Sequence, residues 1–241
     1  MNDGKCLIEM TKELFKASQI NKVDDVIDMA LAPLTDYLDT LGDVITPVKS
    51  FVSVFSLAKK LKMKAFLKWY ADSVNESIDL SNNDFTRMTE YMGNVKNVEF
   101  VAEIIDSALN SRATTCSAIL GYYAGTILSE TKDIEYNDLI VINALKIMVD
   151  EDLDNFLVLY DLIMSTPDYR SFKEQHIVSR FEELEERHFN IEMTIEKLKG
   201  IQAVGYTVGG PYTPSGWGVF AFNKNTDYLY KIIVKAGVRR S

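Results

Sequence analysis

What most constrains this chain is a change of period. Up to about Leu198, apolar residues recur three and four positions apart, which lines one face of a helix. From Ala203 to Phe222 they alternate instead, as on half-buried strands. The first spacing predicts helices over 6–17 (Ile8, Leu14, Phe15) and 23–41 (Val26, Ile27, Ala30, Leu31, Leu34, Leu38). Pro33 would bend or split the second, and Gly42 would stop it. Further helices follow at 81–92, opened by Ser81-Asn82-Asn83-Asp84, at 95–110 and at 112–129. The last of these carries Ala118, Gly121, Ala124 and Gly125, small residues that let a neighbouring helix come close. A connector at 133–137 leads to an apolar stretch, 138–164, read as two helices broken near Asp150-Glu151-Asp152. After a turn at 165–168, the sequence predicts short helices over 177–188 and 191–198, stopped by Gly200. Strands over 203–208 and 217–222 flank a loop, 209–216, and Asn225-Thr226-Asp227 would cap a last helix reaching Lys235. The expected fold is mainly α: a helical domain over 1–135, then a helical lead-in and an α+β unit over 136–241.

The chain has 241 residues, 47% of them hydrophobic, enough for one large core or two small ones. Its two cysteines, Cys6 and Cys116, are too few for a disulfide framework and too dispersed for a zinc site. They read as thiols of a reducing compartment. Residues 1–16 interleave Asp3, Glu9 and Glu13 with apolar positions, unlike a signal peptide. No run of about 18 uncharged apolar residues occurs. The expectation is a soluble, cytoplasmic protein.

Charge is unevenly spread. Residues 44–71 hold six lysines and no acid, whereas 72–200 hold 25 acids against eleven bases. The basic block coincides with a predicted amphipathic helix over 44–70, with Pro47 in its first turn and Val48, Phe51, Val52, Phe55, Ala58 and Leu61 on one face. Lys59, Lys60, Lys62, Lys64 and Lys68 crowd its C-terminal half beside Phe66, Trp69 and Tyr70. Such a segment suits an anionic membrane surface or an acidic partner, with Lys59, Lys60, Lys62, Lys64, Lys68 and Trp69 as the contact set. It also suits a buried core helix whose lysines pair with the acidic middle of the chain, the commoner use of an amphipathic helix.

Catalytic constellations fail on spacing. Glu185-Glu186-Arg187-His188 holds one Glu-x-x-His, but a di-iron site needs two and more glutamates, and the only other histidine is His176. The glycines from Gly209 to Gly218 match neither a phosphate loop nor a dinucleotide fingerprint. Ser215 lacks the Gly-x-Ser-x-Gly frame. Cys116 lies in an apolar helical stretch, as a core thiol does. The acids from Asp150 to Asp154 lack calcium-loop spacing and read as a helix start. No catalytic residue, metal or cofactor is assigned.

The order helix, helix, strand, loop, strand, helix is that of a winged helix. Residues 150–234, with Asp152-Leu153-Asp154-Asn155-Phe156-Leu157-Val158-Leu159-Tyr160 leading in, resemble the C-terminal part of a loose group of bacterial and phage helical proteins. Val44-Ile45-Thr46-Pro47-Val48, Ala118-Ile119-Leu120-Gly121-Tyr122-Tyr123 and Ile134-Glu135-Tyr136-Asn137-Asp138-Leu139 are similar to earlier segments of that group. The resemblance implies an association with mobile elements and supplies no catalytic residue. A winged helix invites a DNA reading, for which Lys197, Lys199, Lys224, Arg239 and Arg240 are the candidate contacts. Against it stand Glu182, Glu183, Glu185 and Glu186 before the presumed recognition helix, and the net charge of −9. The expected function is therefore non-enzymatic macromolecular interaction, with a protein partner, in phage–host conflict or mobile-element biology. The alternatives are a winged-helix DNA-binding regulator and a membrane-surface effector acting through 44–70.

Overall fold

The structure, a computed structural model, describes residues 3–19, 22–31, 57–77, 82–165, 171–173, 191–208 and 218–237. The protein is mainly helical, and the chain divides into two compact units, Met1–Ile134 and Glu135–Ser241.

The first unit contains α1 (Asp3–Gln19), α2 (Val23–Leu31), α3 (Leu57–Ser77), α4 (Asn82–Tyr91), α5 (Val95–Asn110) and α6 (Thr114–Glu130). Its core is the seam between α3 and α6. A Cβ on Gly121 would stand 2.1 Å from the Phe66 carbonyl oxygen, and one on Gly125 would stand 2.7 Å from that of Tyr70. One turn earlier, the Ser117 hydroxyl donates to the Lys62 carbonyl at 3.0 Å. Lys62, Phe66 and Tyr70 thus meet Ser117, Gly121 and Gly125 in the same order, so the two helices run parallel at backbone distance. This is the close approach that the small residues of α6 permit. Met63, Phe66, Leu67, Tyr70, Ala71 and Val74 of α3 are buried, as are Ile119, Leu120, Tyr123, Ile127 and Leu128 of α6.

Several boundaries differ from those expected. α3 does not stop at Tyr70 but continues to Ser77, because Ala71 and Val74 extend its buried face and the Ser73 and Thr126 hydroxyls bond at 2.9 Å. The expected stretch 44–56, with Pro47, Phe51 and Phe55, lies outside the described residues, as do 32–42 with Pro33 and Gly42. α5 spans the 95–110 predicted for it, its start fixed by Asn94, whose side chain accepts from the Lys96 N–H at 3.0 Å.

The second unit contains α7 (Tyr136–Ile147), α8 (Asp150–Met164), β1 (Ser171–Lys173), α9 (Ile191–Gly200), β2 (Gly205–Val208), β3 (Gly218–Ala221) and α10 (Lys224–Lys235). The strands form an antiparallel sheet in the order β1-β3-β2, with Ser171 and Gly205 flanking Ala221. β1 is a strand that the sequence reading lacked. The expected helix over 177–188 and loop over 209–216 lie outside the described residues.

Three helix starts organise this unit. Asp138, third residue of α7, accepts from the Glu135 N–H at 2.6 Å and from the Tyr228 hydroxyl of α10 at 2.8 Å. Asp152, third residue of α8, accepts from the Val149 N–H at 2.9 Å and from the Thr194 hydroxyl of α9 at 2.8 Å. Each carboxylate is buried, caps its own helix at the positive end of the dipole, and ties that helix to another. Thr226, third residue of α10, repeats the device without charge: its hydroxyl accepts from the Asn223 N–H at 3.0 Å and donates to the Ala203 carbonyl at 2.5 Å. The cap of α10 is therefore Asn223, two residues before the expected one. α7 likewise begins at Tyr136, within the expected connector, because Asp138 is a capping residue inside the helix rather than its first residue. Aromatic packing completes the unit: the Tyr160 ring stacks on Tyr230 at 3.6 Å and on Phe222 at 5.5 Å.

Candidate functional site

The lysines of α3 are largely engaged. Lys62 donates to the Ser111 carbonyl and Lys64 pairs with Asp28 of α2. Lys68 pairs with Asp24 of α2 at 3.0 Å. Lys59, Lys60 and Trp69 are half-buried. The carboxylates that meet Lys64 and Lys68 come from the first helices of the chain, not from its acidic middle. Phe66 and Tyr70, expected beside the lysines, lie in the core, stacked with centroids 6.1 Å apart. The Tyr70 hydroxyl bonds to Thr11 at 2.5 Å, and burial holds its phenol well above the ordinary tyrosine range.

α9 turns Ile191, Thr194, Ile195 and Leu198 inward. Glu192, Met193 and Glu196 face outward, with Met193 55% exposed. Its two lysines are both neutralised. Lys197 donates to the buried Asp152 at 2.5 Å, and Lys199 to Glu196 at 2.8 Å. Lys224 is exposed at the start of α10, whereas Arg239 and Arg240 lie outside the described residues. Of the expected nucleic-acid contacts among the described residues, Lys197 and Lys199 thus already hold carboxylates.

Cys116 is buried in α6, while Cys6 is half-buried in α1. His176 and His188 lie outside the described residues. Asp152 of the 150–154 cluster is committed to its helix cap and to α9. Among the described residues, no three His, Cys, Asp or Glu side chains are grouped to hold a metal ion. No described helix is long and apolar enough to cross a membrane. Sequence reasoning missed Asp24, Asp28 and Met193; the one available signal was the four-residue spacing of the two aspartates on a helix. No family model matches the chain, and no curated protein or solved structure proves similar to it.

Proposed function

We propose that this is a non-enzymatic, cytoplasmic interaction protein whose C-terminal unit is a winged-helix-like module that binds another protein rather than DNA. We further infer a role in phage–host conflict or mobile-element biology, with the bacterial and phage group it resembles. The element order from α8 to α10 and the sheet order β1-β3-β2 support the winged-helix reading. The observation that carries the choice of partner is the outward face of α9. In a winged helix this element would enter the major groove. Here it offers Glu192, Met193 and Glu196, and its lysines already hold carboxylates. Presenting acids to phosphates is repulsive, whereas an exposed methionine between two glutamates suits a protein surface with a basic rim.

The test is a photo-crosslinking residue at position 193 in the native host. It should capture a discrete protein partner, and Glu192→Lys with Glu196→Lys should abolish capture. Salt-sensitive binding of duplex DNA by the unmodified protein, lost on Lys197→Ala or Lys224→Ala, would favour the DNA-binding regulator instead. Turnover abolished by a point substitution would refute the non-enzymatic reading. The membrane-surface alternative is weakened by the Lys64–Asp28 and Lys68–Asp24 pairs, which reduce the positive charge that α3 can offer to anionic lipid.

A further inference from the structure

α2 carries an acid, an apolar residue three positions on and a second acid next to it: Asp24, Ile27 and Asp28. Asp24 meets Lys68 and Asp28 meets Lys64. Two carboxylates one turn apart are therefore matched, in opposite order, by two lysines one turn apart, and α2 lies antiparallel on α3. Between them Ile27 is fully buried. Among the described side chains of α2, only Ile27 is buried. Val23 and Val26 are half-buried, Asp25 is exposed, and the four paired side chains remain 37–55% exposed. A polar cavity of about 370 Å³ undercuts its first turn, lined by Ser18, Val23, Asp24, Lys68, Asp72 and Asn75. There Asp72 sets like charge against Asp24.

We propose that Lys64, Lys68 and the seat of Ile27 form a docking site for an acidic helix of another protein, which α2 fills as an internal stand-in. The matching partner helix carries a carboxylate, an apolar residue three positions later and a carboxylate after that. Affinity for such a helix is lowered by the fraction of time the site is closed, so loosening α2 raises it. The site lies on the first unit and does not depend on the α9 face, so either can fail alone.

The probe is a fluorescent peptide of residues 22–32 with alanine-rich helical flanks, titrated into the full-length chain by anisotropy. Asp24→Lys with Asp28→Lys should free the site and bind it at least tenfold tighter than the unmodified protein. Adding Lys64→Glu and Lys68→Glu should restore internal pairing and remove the gain. A probe with Ile27→Asp should not bind. The milder pair Asp24→Asn and Asp28→Asn, which removes only attraction, should give a smaller gain and guards against misfolding of the reversed variant. Faster amide exchange in 23–31 without any gain in probe affinity overturns the proposal. So does equal binding of the Ile27→Asp probe. Binding of the reversed variant to phosphatidylserine–phosphatidylcholine vesicles but not to the probe would also overturn it, in favour of a lipid surface.

Discussion

In the first unit α3 and α6 approach until the Phe66 carbonyl stands where a side chain on Gly121 would be, and what holds them is shape. In the second unit α8 and α9 are tied by one buried carboxylate that serves a backbone N–H, a hydroxyl and an ammonium at once. The first arrangement tolerates no added atom at the glycines, and its polar links, Ser117 to Lys62 and Ser73 with Thr126, are uncharged hydroxyl bonds on either side of them. The second tolerates modest changes of volume but no orphaned hydrogen bond. Close packing and buried polar networks both specify a fold, and they break under different substitutions.

Gly121→Val should have the largest effect. Its side chain meets backbone, which cannot rotate away, so the helices must separate along the seam. The expected loss is about 4 kcal/mol. Urea unfolding followed by Trp69 of α3, in a Trp217→Phe background, measures it. A loss below about 1 kcal/mol would show that shape is not what closes this unit.

Asp152→Ala should come next, at about 3 kcal/mol, because it strands the Lys197 ammonium, the Thr194 hydroxyl and the Val149 N–H together. Asp152→Asn should cost less, since the amide oxygen still caps α8. Amide exchange in α8 and α9 measures both. Thr226→Val, of nearly equal volume, should cost about 1 kcal/mol through the lost bonds to Asn223 and Ala203, and Thr226→Ser should restore most of it.

How much of this was legible depends on how local the cause is. α5 was readable at both ends because its apolar spacing and the Asn94 cap are both written within a few residues. The acids at 150–154 were readable as a helix start for the same reason. The second task of Asp152, holding Thr194 and Lys197, depends on residues more than forty positions away. β1 was not readable because three residues carry no alternation, and its identity comes from pairing with β3. The lysines of α3 were legible as a basic group, but their carboxylates on α2 were not, since only the fold brings residue 28 to 64 and 24 to 68. Lysine density suggested a surface, while the spacing of Phe66 and Tyr70 already agreed with a core helix.

The smallest predicted effect lies at the α2–α3 seam, where neither shape nor a complete polar network prevails. Burial raises the carboxyl of Asp72 above its ordinary 3.8, and repulsion from Glu76 and Asp24 adds to this, while Lys68 opposes it. The folded state therefore holds this proton more tightly than the unfolded chain does, so the ionised form costs stability. That cost is fully present above the raised folded value, shrinks as pH falls through it, and is gone below 3.8. Asp72→Asn removes the cost at every pH. It should raise the unfolding midpoint slightly at pH 7, the carboxylate being only partly buried and so largely screened, and leave it unchanged near pH 3. Because burial is the leading cause, 0.5 M salt should erase only part of the neutral-pH gain. The same variant removes the like charge facing Asp24, so amide exchange in 23–31 should slow. An unchanged rate would mean that the repulsion at this seam does not loosen α2.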